Sequence, residues 1–372
     1  MSDKISFRLH GIIVCLLCLI FLSAGNARAE EISIIAVGDI TIGSGLTSVI
    51  EKDDAIALFA GITDLIKSAD IATAPLNTTI SDQGEPRYGI EHTFRAPPVI
   101  ARRLANTGFN VLSLATPHSL DFGIEAVEDT INLLDWYHIK TVGAGVTPEA
   151  AQKPALIRVK SAQVAFLAYY SINQFASELS DLIAYAVYSK MTKAVEAVAQ
   201  EADLVVVWIH WGKARKTQVV GSRQRFFAQG LIDAGADLVF CQRLHTLQGT
   251  ELYKGKPIIY SLADFIYETY DKQYSKVVVP KIVFEVGSGV SAGEDVSTHS
   301  DSTASRAILK SIELTPIWVD DPNAKYQPHV LSGDDAQEAL VNYQKLCAEL
   351  ETQVTIEGER GWIKPDADQQ DP

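Results

Sequence analysis

From Ser33 to Ile40 the chain reads SIIAVGDI, almost without a polar position. Such a continuous apolar run predicts a strand buried on both faces. Ile71–Leu76, Val111–Ala115 and Leu204–Ile209 have the same texture. Between them the period lengthens. Ile56, Leu58, Phe59, Ile62, Leu65 and Ile66 fall at helical spacing within Asp54–Ile66. Pro98–Thr107 suits a helix with Gly108 as its stop, and Ile124–Trp136 suits another, followed by a short strand at Lys140–Val142. Leu156–Tyr169 predicts a hairpin turning near Ser161–Ala162, and Phe175–Ala202 predicts a long amphipathic helix. Residues 204–265 then run strand, helix, strand and hairpin. Strands alternating with helices predict a layered α/β domain.

The texture changes after this segment. Pro257–Ile266, Lys276–Glu285 and Ile308–Trp318 are β-rich, and the polar Gly/Ser/Thr-rich stretch 287–306 between the last two predicts a loop. Asp334–Glu351 predicts a closing helix, and 353–372 is expected to be a C-terminal tail. Residues 30–352 are therefore expected to form one domain.

The first 29 residues stand apart. Lys4 and Arg8 precede an apolar run from Gly11 to Gly25, and Ala27-Arg28-Ala29 has the form of a cleavage site. A cleavable signal peptide is expected, hence export to the periplasm or beyond. The alternative is membrane anchoring by residues 11–25. That run is shorter than the roughly 18 apolar residues of a spanning helix. The segment carries Lys4, Arg8 and Arg28 against Asp3, so its removal moves the net charge from −14 to −16. A surface so acidic argues against nucleic acid as a partner. Of the four cysteines, Cys15 and Cys18 lie in the leader. Cys241 and Cys347 could form one disulfide or serve as small buried apolar groups.

Candidate chemistry gathers at the predicted strand ends. Asp39 follows ISIIAVG, His118 follows VLSLATP, His210 follows LVVVWI and His245 follows DLVFCQRL. Open α/β sheets hold ligands at that edge, and one carboxylate with three imidazoles suits Zn, Mn or Fe. His92 lies in a long loop that could line a cleft. His138, His299 and His329 lie in turns or loops away from that edge. The chain contains no G-x-S-x-G, H-E-x-x-H or Walker-type loop, and Gly143-Ala144-Gly145 is only a fragment of a dinucleotide fingerprint.

Several blocks share the order of one family. They are VGDITIG, FRAPPVIARRLANTGFNVLSLATPHSLDFG, the Gly143–Gly145 turn, HWG at 210–212, LIDAGADLVF and HTLQGTELYKGKPIIYSLADF. In these the chain resembles the bacterial CapA family of capsule and poly-γ-glutamate biosynthesis proteins, which are similar to calcineurin-type metallophosphoesterases. The resemblance covers about residues 32–268. It implies a four-layer α/β/β/α sandwich with a metal centre at the strand ends. Asp39, His210 and His245 would be metal ligands there, and His118 the group that protonates a leaving group.

The chain also departs from that pattern. Asn77 stands where the family has a bridging glutamate, Pro117 where it has an asparagine, and Gln242 where it has a ligand histidine. Arg243 brings a cation beside the centre, and Asp264 offers a replacement carboxylate. The resemblance thus implies at most one divalent metal (Mn, Zn or Fe), or none, with Arg243, Asn77 and Gln242 turned to binding an anion. Two functional expectations stay open. One is an envelope protein of capsule or polymer biosynthesis or export with a degenerate centre that binds an anionic polymer or phosphorylated small molecule. The other is a single-metal hydrolase of phosphoester or γ-glutamyl bonds. A non-enzymatic adhesion domain has no residue in its favour.

Overall fold

The computed structural model describes residues 29–365, apart from 44, 48–49, 51–56, 91, 172–179, 212–217, 243–244, 268–274, 288–305, 322–323 and 325–326. Arg243 and most of the expected leader therefore lie outside the described residues. No described helix is long and apolar enough to cross a membrane.

Two sheets face each other. The first has nine strands, with Glu30–Ala36, Ile71–Pro75, Val111–Ser113 and Lys140–Val142 parallel to one another at one side. Lys276–Gly287 and Arg306–Trp318 add antiparallel strands at the other. The second sheet has six strands. Ala162–Tyr170, Leu204–His210, Leu238–Gln242 and Lys256–Leu262 form its parallel centre, and hairpin partners Ala155–Val159 and Leu247–Tyr253 close its edges.

The apolar runs are continuous because each strand serves two cores. In the second sheet Phe166, Val206, Trp208 and Phe240 point into the core between the sheets. Their neighbours Ala165, Leu167, Val205, Val207, Ile209 and Val239 pack outward with Met191, Val195, Ala228 and Leu231. Those last four belong to the helices Tyr188–Val198 and Ser222–Asp233. The helices Val99–Thr107 and Gly123–Trp136 bury Ile100, Leu104, Val127 and Leu134 in the core of the first sheet. This is the α/β/β/α sandwich. Trp208 ties the sheets together, its ring stacked 4.4 Å from Phe240 and its Nε1–H donating to Thr73 Oγ1 at 3.1 Å. Each large side chain so buried contributes about 1.5–3 kcal/mol.

Several elements differ from the sequence expectation. Of the helix expected over Phe175–Ala202, residues 175–179 lie outside those described, and the described part is α-helical over Tyr188–Val198. Before it, Tyr170 N–H donates to the Ala184 carbonyl at 2.8 Å and Ala184 N–H to the Gly143 carbonyl at 2.9 Å. Pairing with a strand end overrides helical periodicity there. The helix expected over Asp54–Ile66 is present as Ala57–Ala60 and Thr63–Ile66, its first residues lying outside those described. The expected tail is no tail up to residue 363. Thr355–Glu357 and Arg360–Ile363 form a hairpin that extends the nine-stranded sheet beside Arg306–Trp318. Cys241 and Cys347 are both free and buried, the second of the two alternatives.

Candidate active site

The parallel strands of both sheets end on one side, and the candidate residues lie there. Immediately after the first strand the chain turns through Gly38, where a β-carbon would stand 2.0 Å from the Ala263 carbonyl oxygen. Only glycine permits that approach. It lets Asp39–Ile40 pair in parallel with Asp264–Ile266, with Asp39 opposite Asp264 in the register. Asp39 N–H donates to the Ala263 carbonyl at 3.2 Å. Ala263 and His245 both adopt left-handed backbone, at φ 59° and 52°. Strain of that kind, held by surrounding structure, is common at functional sites.

Asp39 is fully buried, and among the described residues neither of its carboxylate oxygens takes part in a hydrogen bond. Its Oδ2 stands 3.4 Å from Nε2 of buried His210, whose ring makes an edge contact with Tyr170 at 5.8 Å. Asn77 Nδ2–H donates to Thr41 Oγ1 at 3.1 Å, while its Oδ1 is buried without a hydrogen bond among the described residues. Buried acceptors of this kind call for a positive charge.

The other two histidines are held by carboxylates. His118 Nδ1 lies 2.8 Å from Oδ2 of Asp121, and His245 Nδ1 lies 3.0 Å from both oxygens of Asp264. With a carboxylate as acceptor, Nδ1 is the donor, which fixes the orientation of each ring. Their surroundings connect. Phe94 packs edge-on to His118 at 4.6 Å and lies 6.2 Å from Tyr267, which lies 5.5 Å from His245. One short aromatic wall thus joins the two half-exposed imidazoles.

Gln242 takes a role other than the expected anion binding. It is fully buried, its Nε2–H donates to the Ala263 carbonyl and its Oε1 accepts from Leu262 N–H at 3.2 Å. Its amide is committed to the backbone corner that carries Asp264. Both oxygens of Asp264 likewise lie 3.0 Å from His245 Nδ1 and orient that ring. No group of three or more His, Cys, Asp or Glu side chains among the described residues has metal-holding geometry. The buried oxygens of Asp39 and Asn77 that take part in no hydrogen bond among the described residues, with His210 3.4 Å from Asp39, are the polar groups a cation would have to satisfy. His92, His138 and His329 stand outside this set. A cavity of about 490 Å³ elsewhere, lined by residues including Ile131, Lys140, Val146, Lys153 and Leu156, takes in none of the candidate residues. Buried unsatisfied polar atoms mark the centre better than empty volume does.

Asp121 escaped the sequence reading. Its signal was available, since a carboxylate three residues after His118 can reach back within one turn. Thr41 and Tyr267 carried no such signal and enter only through folding.

Residues 33–269 match the model of the bacterial capsule synthesis protein PGA_cap. The chain belongs to this family. Among curated relatives, the PGA biosynthesis protein CapA of Bacillus subtilis (strain 168) is 25% identical, the alignment covering 69% of this chain and 70% of that one. The capsule biosynthesis protein CapA of Bacillus anthracis is also 25% identical, over 64% of this chain and 60% of that one. A probable polyglutamine synthesis accessory protein of Mycobacterium tuberculosis (strain ATCC 25618 / H37Rv) is 29% identical, over 54% of this chain and 56% of that one.

Proposed function

We propose that this PGA_cap protein acts in the biosynthesis or export of a capsule or poly-γ-glutamate-type polymer. In this reading it works outside the cytoplasm and binds an anionic group of the polymer, or of a phosphorylated precursor, at a reduced metallophosphoesterase-type centre. The relatives' names support the process, and the leader-like residues 1–29 support the place. Gln242 carries the reduced centre: a position that resembles a ligand histidine holds an amide already committed to the backbone.

The residues that remain fit one cation, held by Asp39, Asn77 and His210. When bound, it would neutralise an oxyanion and act as a Lewis acid. The chain's own residues supply the rest. Asp121 fixes the His118 ring so that Nε2 can give a proton to a leaving oxygen or nitrogen. Asp264 fixes the His245 ring in the same way. Phe94 and Tyr267 form an apolar wall between the two imidazoles.

A single-metal hydrolase is the second reading, favoured by the His118–Asp121 pair at 2.8 Å. One experiment separates the two. The purified protein, loaded with Mn²⁺ and desalted, is assayed for bound metal and for aryl phosphate hydrolysis. At most one equivalent of metal and negligible turnover are expected. Turnover lost in His118→Ala would establish the hydrolase. Two equivalents with rapid turnover would overturn the reduced centre altogether.

A further inference from the structure

The two edges of the six-stranded sheet are finished differently. At one edge stands Leu247–Tyr253, and its outward N–H groups are used. Thr250 N–H donates to Cys347 Sγ at 3.3 Å and Leu252 N–H to Thr352 Oγ1 at 3.2 Å. The Gly333–Ala348 helix and the residues after it thus close that side. At the other edge stands Ala155–Val159. Among the described residues it pairs with Ala162–Tyr170 and with no second strand.

The register shows which groups are left over. The Gln163 carbonyl accepts from Asp203 N–H at 2.8 Å, so the Gln163 backbone faces the side of the Leu204–His210 strand. Hydrogen bonding alternates along an antiparallel pair. Ala162, Val164 and Phe166 therefore bond to Val159, Ile157 and Ala155, and the N–H and C=O of Leu156 and Arg158 point out of the sheet edge. Both side chains are exposed as well, Leu156 at 43%. Beside this edge the two sheets part over the cavity of about 490 Å³, which the Lys140–Val142 edge of the first sheet also reaches.

We propose that the Ala155–Val159 edge pairs with the same edge of a second copy of this chain, antiparallel about a twofold axis at Ile157. The strand is self-complementary in that register. Leu156 of one copy faces Arg158 of the other, so the outward N–H and C=O groups of both residues find partners. Pro154, which has no N–H, falls outside the bonded span. Arg158 is kept from facing its own counterpart. The charges around the edge also balance, with Glu128, Asp135 and Glu149 against Lys140, Lys153 and Arg158, on a chain whose net charge is −14. Two such acidic chains repel over most of their surface and least here. The paired edges join two six-stranded sheets into one. A twofold of this kind reverses strand direction, so the two candidate centres lie at opposite ends and each copy acts on its own ligand. This pairing is independent of the function proposed above.

Sedimentation velocity of the full chain across the micromolar range tests the pairing. A concentration-dependent dimer is expected. Leu156→Lys sets cation against cation at both symmetry-related contacts and should weaken the dimer about tenfold or more. Leu156→Glu meets Arg158 of the other copy and should keep or tighten it. Oxidised Ile157→Cys should give a dimer linked through residue 157 in mass spectrometry, since Cys241 and Cys347 are buried. A dimer without that link, or one that Leu156→Lys and Leu156→Glu affect equally, overturns the paired edge. A chain that stays monomeric overturns the second copy and leaves the edge to an extended segment of another protein.

Discussion

Asp39 and His210 meet at 3.4 Å although one follows a strand of the first sheet and the other ends a strand of the second. Both side chains are almost wholly buried, at 1% and 3% exposure. A carboxylate so placed is cut off from water, and His210 is its polar neighbour across the sheets. Removing one member of such a pair strands the other. His210→Ala is therefore expected to cost about 3–5 kcal/mol in urea denaturation. Adding Asp39→Asn to that variant should restore part of the loss. Strict additivity of the two substitutions would show that the pair is not coupled.

Gln242 makes a contrasting prediction. Its side chain joins the Leu238–Gln242 strand to the Leu262–Ala263 corner through two hydrogen bonds. Gln242→Ala should lower stability by about 1–3 kcal/mol, since a buried backbone acceptor and donor lose partners. Metal content and anion affinity should stay as they were. A selective loss of anion affinity at unchanged stability would return Gln242 to a ligand-binding role.

The two described cysteines should be chemically silent. Burial pushes both the Cys241 and the Cys347 thiol up to about 12. At pH 8 neither is a thiolate, and neither is accessible. Iodoacetamide labelling mapped by mass spectrometry should leave both unmodified in the native protein and modify both in denaturant. Rapid native labelling at either position would contradict their burial.

Asp70 gives a pH dependence. Burial alone would raise its carboxyl, but hydrogen bonds from the Ser33 hydroxyl and N–H and from Lys160 outweigh this and hold it below the usual range. Lys160 sits in the turn of the Ala155–Tyr170 hairpin, so the contact bridges the two sheets. A lowered folded pKa means the stabilisation is complete above the unfolded value near 3.9 and is lost as pH falls through the folded value. Asp70→Asn should cost about 1–3 kcal/mol at pH 7, and its deficit should shrink below about pH 4. A deficit independent of pH would assign the effect to packing.

Much of this was legible in the chain. The run SIIAVG, the stop at Gly108 and the positions of Asp39, His118, His210 and His245 after apolar strands depend on neighbours a few residues away. Residues 183–187 of the helix expected over Phe175–Ala202 and the tail expected after 352 depart from expectation for the same reason. Each is decided by a strand end or sheet edge that the local pattern does not contain.

The sequence by itself determined the layered α/β architecture, the family and the edge at which chemistry gathers, because local periodicity and strand-terminal position specify them. Only the tertiary structure decided what each polar side chain does there. Asp264 turns to His245 across 19 residues and Asp121 to His118 across 3, while Gln242 reaches back to Ala263 across 21. Such pairings follow from register between strands, and in a buried centre each donor satisfied in one direction is withdrawn from every other.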